Sequence, residues 1–174
     1  MKRWLGEVCV AAILALLFLL AGPATGVLAL TTADVTVNAS GAYVALTCSP
    51  DTYAFGIVAT SSTTSTATGY FTVTNSSTVT TNTTIKVVGD WTSGGTGWTA
   101  SDDGNAGNNT AALKASKNTG AFDVIVKKTA PFINIATSQG ALTDFQWELR
   151  LLAPTEFSDG QLNSNTVRLT MTST

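Results

Sequence analysis

The chain has 174 residues, nine basic and eleven acidic side chains, no histidine and a formal net charge of −2. Its charged fraction of 11% lies far below the roughly 25% usual in soluble domains, and it carries no basic field for nucleic acid. Without histidine it has no Ser-His-Asp or Cys-His nucleophile system, none of the usual zinc sites and not the commonest general base.

In chain order, "MKRW" sets Lys2 and Arg3 ahead of the apolar run Val8 to Gly22, the pattern of a secretory signal that enters the membrane as a helix. Gly22, Pro23 and Gly26 then break the run, and Val27 and Ala29 occupy the −3 and −1 positions of a signal-peptidase site. The expected division is a signal peptide over 1–29 and a single domain over 30–174. The alternative is a retained anchor, since Val8 to Leu30 is long enough to span a bilayer; membrane contact is then expected only through that segment. A prepilin leader is disfavoured because Glu7 directly follows Gly6, and a lipoprotein because Cys9 has no small-residue lipobox before it. Cleavage leaves about 145 residues with seven basic and ten acidic side chains, enough for one real core.

Beyond the leader, short alternating runs recur and no window carries a helical period. The expected strands cover 33–39, 42–48, 53–59, 70–75, 84–89, 97–101, 111–116, 122–128, 132–137, 145–152 and 166–172, separated by turn-rich stretches such as "SSTTSTATG", "TSGGTG" and "DDGNAGNN". Strands at this spacing without crossover helices pair mainly antiparallel. The predicted fold is all-β, an immunoglobulin-like antiparallel two-sheet β-sandwich preceded by the signal helix, with a barrel as the alternative. Phe55, Ile57, Phe71, Ile85, Trp147 and Leu149 are among the expected inner residues. The runs "WELRLL" and "TVRLTMT" are expected to be joined by a hairpin-type loop.

Thirty-one Thr and 14 Ser make up about a quarter of the chain, so hydroxyls replace charge on the solvent face of strands. Cys48 is the one cysteine left after cleavage, which denies the mature chain an intrachain disulfide; its phase with Val44 and Leu46 makes it a buried small hydrophobe.

Glycosidase chemistry needs only two carboxylates. Glu148 alone lies between apolar strand positions, and its phase opposes Trp147 and Leu149, so a solvent-facing Glu near Arg150 is expected and no enzyme is predicted. "SDDGNAGNN" offers Asp102, Asp103 and Asn105 as candidate Ca²⁺ ligands, although Asn108 and Lys114 stand where an EF-hand requires Gly and Glu. Asx and Gly residues also build ordinary turns, so no cofactor is required. Trp91 and Trp98 bracket "TSGGTG" and could stack on a sugar ring, with a core role for Trp98 as the competing reading. Asn-x-Ser/Thr occurs at Asn38, Asn75, Asn82 and Asn108, too close to the roughly 2.6 matches expected by chance to be informative. Lys127 and Lys128 are possible isopeptide donors without an identifiable partner.

The leader, the Thr-rich strands, the scarcity of charge and the closing pattern "FSDGQLNSNTVRLTMT", with Asp159 and Gly160 in a turn before the alternating Val167 to Met171, resemble prokaryotic surface-filament subunits of the spore-coat-U and fimbrial pilin type and of the TasA or camelysin type. The resemblance implies polymerisation by strand donation, in which one subunit's extended segment completes its neighbour's sheet. The candidate donor is "LTTADVTVNAS", where Ala33, Val35, Val37 and Ala39 share one face; the alternative is that this stretch forms the first strand of its own sheet. The expected function is a secreted, non-enzymatic structural subunit of a cell-surface filament, sheath or layer, partnered by its own copies or other surface proteins. The alternative is an extracellular carbohydrate-binding module using Trp91 and Trp98.

Overall fold

The computed structural model describes residues 38–39, 41–158 and 160–174. The expected leader and Ala33, Val35 and Val37 lie outside the described residues, as does Asp159, while Ala39 is exposed and outside any strand. Twelve strands form among the described residues: β1 (Leu46–Ser49), β2 (Thr63–Ser65), β3 (Phe71–Asn75), β4 (Thr81–Val87), β5 (Thr92–Ser93), β6 (Thr99–Ala100), β7 (Thr110–Lys117), β8 (Val124–Ile125), β9 (Ile133–Gln139), β10 (Phe145–Leu152), β11 (Asn163–Ser164) and β12 (Val167–Ser173). No helix occurs among the described residues, which are all-β.

The period-2 pattern is clearest in β4, where Thr81, Thr83, Ile85 and Val87 are buried and Asn82, Thr84 and Lys86 are half-buried. β-Branched side chains stiff at χ1 favour this extended backbone. A seven-stranded sheet runs β1-β3-β10-β7-β6, with β2 also on β10 and β8 also on β7; a three-stranded sheet runs β12-β4-β9; β11 and β5 form a two-stranded ribbon. All pairings are antiparallel except β6 with β7. Phe71, Val73, Leu113, Ala115, Trp147 and Leu149 from the larger sheet share one apolar cluster with Ile85, Val87 and Ile135 from the smaller.

Several expectations need correction. Residues 53–59 form no strand: Gly56 turns the chain at φ +71° and Ile57 is fully exposed. Tyr53 and Phe55 still face the core, packed edge to face with centroids 4.9 Å apart. Part of "SSTTSTATG", expected as loop, pairs as β2. The last two long strands are not a hairpin. Both edges of β10 are already taken, one by β7 and the other by β3 and β2, so β12 pairs with β4 in the other sheet.

Glu148 is the fourth correction. It is 3% exposed, and its carboxyl group accepts the Gly69 N–H at 2.6 Å and the Ser116 hydroxyl. The alternation argument placed it correctly on the face opposite Trp147, but that face is covered by the chain leading from β2 into β3. Gly69 sits at φ +63° with Gln146 close behind, so the turn that delivers its N–H needs glycine. Replacing Glu148 with Ala leaves the buried Ser116 hydroxyl and the part-buried Gly69 N–H without their acceptor, at about 1–3 kcal/mol for the buried donor and less for the other. Thermal unfolding of Glu148→Ala is therefore expected several degrees below wild type, and an unchanged midpoint would show that water reaches this pocket.

Candidate functional site

The two sheets come together on one side along β1 and β12, the terminal strands of their respective sheets. At one end this side is closed: the Ser77 hydroxyl donates to Met171 Sδ at 3.2 Å and lies 3.3 Å from the Ala45 carbonyl oxygen. Toward Val167 it opens into an apolar groove of about 1230 Å³. Leu46 and Cys48 of β1 form one wall, Val167 and Leu169 of β12 the other, and Trp147 and Leu149 belong to the floor. The outer edges of β1 and β12 pair with no strand among the described residues. Accordingly Leu46, Cys48, Val167, Leu169 and Met171 are only half-buried although their phase points them inward.

Burial pushes the Cys48 thiol above its ordinary value, so it lines the groove as a small hydrophobe rather than as a thiolate. Polar side chains, among them Asp51, Asn163, Asn165 and Arg168, share the lining with the apolar walls. Trp91 and Trp147 also contribute to it, with their indole nitrogens buried; the Trp91 nitrogen has no hydrogen-bond partner, and the Trp147 side chain acts on the Cys48 thiol as a hydrogen-bond donor.

Trp91 and Trp98 are 9% and 8% exposed. Their rings tilt at 55° with centroids 5.5 Å apart, and Trp98 stacks on Phe157 at 5.4 Å. The turn between them is closed by Trp91 N–H donating to the Trp98 carbonyl at 2.8 Å. Gly97 makes this closure possible, because a Cβ there would overlap the Trp91 carbonyl oxygen. The two rings thus form the inner end of the groove rather than a platform standing out from a loop. Phe157 escaped the sequence reading because a single aromatic residue in "PTEFSDG" carries no periodicity.

The candidate cation ligands are occupied with stitching loops. Asp102 accepts the Lys128 and Thr129 N–H groups at 2.6 and 3.1 Å and the Thr129 hydroxyl at 2.7 Å. Burial pushes its carboxyl up, but these bonds outweigh that effect and hold it below the ordinary range. Asp103 accepts the Ser101 hydroxyl at 2.6 Å and the Asn105 N–H at 2.9 Å, an Asx turn that lowers its pKa, the Ser101 bond most. Asn105 enters through its backbone N–H. Among the described residues no group of three or more His, Cys, Asp or Glu side chains gathers to hold a metal. Asp90 accepts the Ala100 N–H and the Lys128 ammonium, both at 2.7 Å, and its pKa is lowered chiefly by Lys128.

The chain matches no known protein-family model, and a search of curated proteins finds no match.

Two outcomes follow from this geometry. Trp98→Ala removes a stacked core ring and is expected to cost about 3–5 kcal/mol in denaturant unfolding, where a protruding sugar platform would cost almost nothing. For Asp90, Asp102 and Asp103 the folded pKa lies below the unfolded one, so their stabilisation is present above the ordinary aspartate range near pH 4 and is lost as pH falls through the folded values. Acid titration of the fold is expected to show a salt-sensitive loss of stability below about pH 4, blunted in Asp102→Asn.

Proposed function

We propose that the protein is a secreted, immunoglobulin-like two-sheet β-sandwich serving as a non-enzymatic structural subunit of a cell-surface filament, sheath or layer, assembled by strand donation. The observation that carries this reading is the apolar groove flanked by two unpaired strand edges. An extended segment lying there would pair its backbone with a free edge and turn alternate side chains onto Leu46, Cys48, Val167 and Leu169. The volume of about 1230 Å³ exceeds the roughly 300–1,000 Å³ of small-molecule pockets and suits a peptide segment.

The donor in this reading is the segment 33–39 of another copy, whose Ala33, Val35, Val37 and Ala39 face is small enough to enter between the walls. Each valine it buries is worth about 1.5–3 kcal/mol, and the edge hydrogen bonds add direction and register. A hydroxyl-rich, weakly charged surface imposes little repulsion on lateral packing between subunits. The carbohydrate-binding alternative asks for an open ring face on Trp91 or Trp98, and both rings lie under a tenth exposed.

The test is negative-stain electron microscopy of the secreted full-length product beside a variant lacking residues 30–40. Regular filaments or sheets from the former and dispersed, β-rich monomers from the latter are expected. Monomers from the intact chain at high concentration would overturn self-assembly, and filaments from the deletion variant would overturn the donor.

A further inference from the structure

At the closed end, opposite the groove, the gap between the sheets holds a lysine. Leu113, Ala115 and Lys117 follow one another on a single face of β7, opposite Leu151, Leu149 and Trp147 of β10. The first two are core residues, and the third continues their line toward the smaller sheet. Lys117 Nζ donates to Gln139 Oε1 on β9 at 2.7 Å and lies 5.2 Å from the centroid of the Phe145 ring. Gln139 is 9% exposed, and its amide nitrogen donates to the Thr143 carbonyl at 3.3 Å. Thr81 is paired directly with Gln139 across β4 and β9, so the two side chains share a face. Its hydroxyl is fully buried and has no hydrogen-bond partner.

We propose that Lys117 and Gln139 become joined by a side-chain amide bond that staples β7 of the larger sheet to β9 of the smaller. The amine touches the carboxamide oxygen, and the carbon it must reach lies about 1.23 Å beyond that oxygen. Burial lowers the lysine pKa, which raises the share of neutral, nucleophilic amine. The Nζ lone pair attacks Gln139 Cδ, the bond from Cδ to Nε2 breaks, and Nε2 leaves as ammonia with a proton released by the attacking amine. Amine plus carboxamide give a secondary amide plus ammonia; nothing is oxidised or reduced and no co-reactant is consumed. Holding the two reactants in contact supplies the proximity that a bimolecular aminolysis lacks. The staple would restrain the unfolded chain as a disulfide does, in a protein whose only cysteine among the described residues, Cys48, is free.

The experiment is intact mass spectrometry of the secreted full-length product, followed by peptide mapping. The expected result is a mass one ammonia below that of the chain, a branched peptide joining Lys117 to Gln139, and no tryptic cleavage after Lys117. Lys117→Arg, which keeps the charge and removes the nucleophile, is expected to regain the full mass and melt at a lower temperature. A folded wild-type protein of full mass would overturn the proposal. So would an ammonia loss that maps to a Thr81–Gln139 ester or to a cyclised side chain elsewhere. None of these readouts depends on whether filaments form.

Discussion

Backbone hydrogen bonding in a sheet stops at its terminal strands, and in this protein two such strands stop on the same side of the core. β1 ends the larger sheet and β12 ends the smaller, with an apolar gap between them that their own side chains do not fill. An open edge beside an apolar surface invites another strand, and proteins ordinarily suppress the invitation with charge, proline or a short edge. Here β12 presents seven residues with Arg168 as its one charged side chain, and Ile57 and Leu162 on the groove rim are exposed by 105% and 86%. The rim is left attractive where a monomer would be expected to blunt it.

The rest of the architecture can be understood as support for that edge. β12 is held in place by seven consecutive pairings to β4, from Val167 with Val87 to Ser173 with Thr81. β1 is held by β3 and continued upstream by bonds from residues 43–45 to residues 76–78. Behind the groove, Phe71 stacks on Trp147 with centroids 4.4 Å apart, and Tyr53 and Tyr70 close around it edge to face. Rigid aromatic backing of this kind keeps a groove open instead of letting it collapse. Trp91 and Trp98 serve the same purpose at the inner end, fixed by the turn that Gly97 permits.

The alternating pattern made the long strands legible: β3, β4, β7, β9, β10 and β12 all fall on runs whose β-branched and apolar residues repeat every second position. The three strands that escaped, β2, β5 and β11, have two or three residues each and consist of Thr, Ser and Asn, the same residues that build the loops. The false strand at 53–59 shows the converse error, since Phe55 and Ile57 alternate correctly but Gly56 turns the chain between them. Alternation also cannot say what covers a strand's second face. It put Glu148 opposite Trp147, and only the tertiary packing over β10 turns that position from solvent-facing to buried. Likewise the tryptophans were legible as a pair, while their role depended on Phe157 arriving from a distant loop.

A core that is polar at one end and apolar at the other has a mechanical consequence. At the closed end Asn75, Ser77, Thr81 and Thr83 are almost fully buried, and Asn75 ties the backbone together through the Ser77 N–H and the Gly140 carbonyl. Directional bonds of this sort fix the spacing of the two sheets in a way that non-directional apolar contact does not. At the other end the sheets are separated by aromatic walls and can differ in spacing only by opening or filling the groove. An occupant there would therefore be felt across a clamp whose far end is already set, so filling the groove would be resisted or favoured as a single event along the length of β12. Cooperative, all-or-none occupation is what a strand binding site requires, because a partly inserted strand leaves backbone donors and acceptors buried without partners.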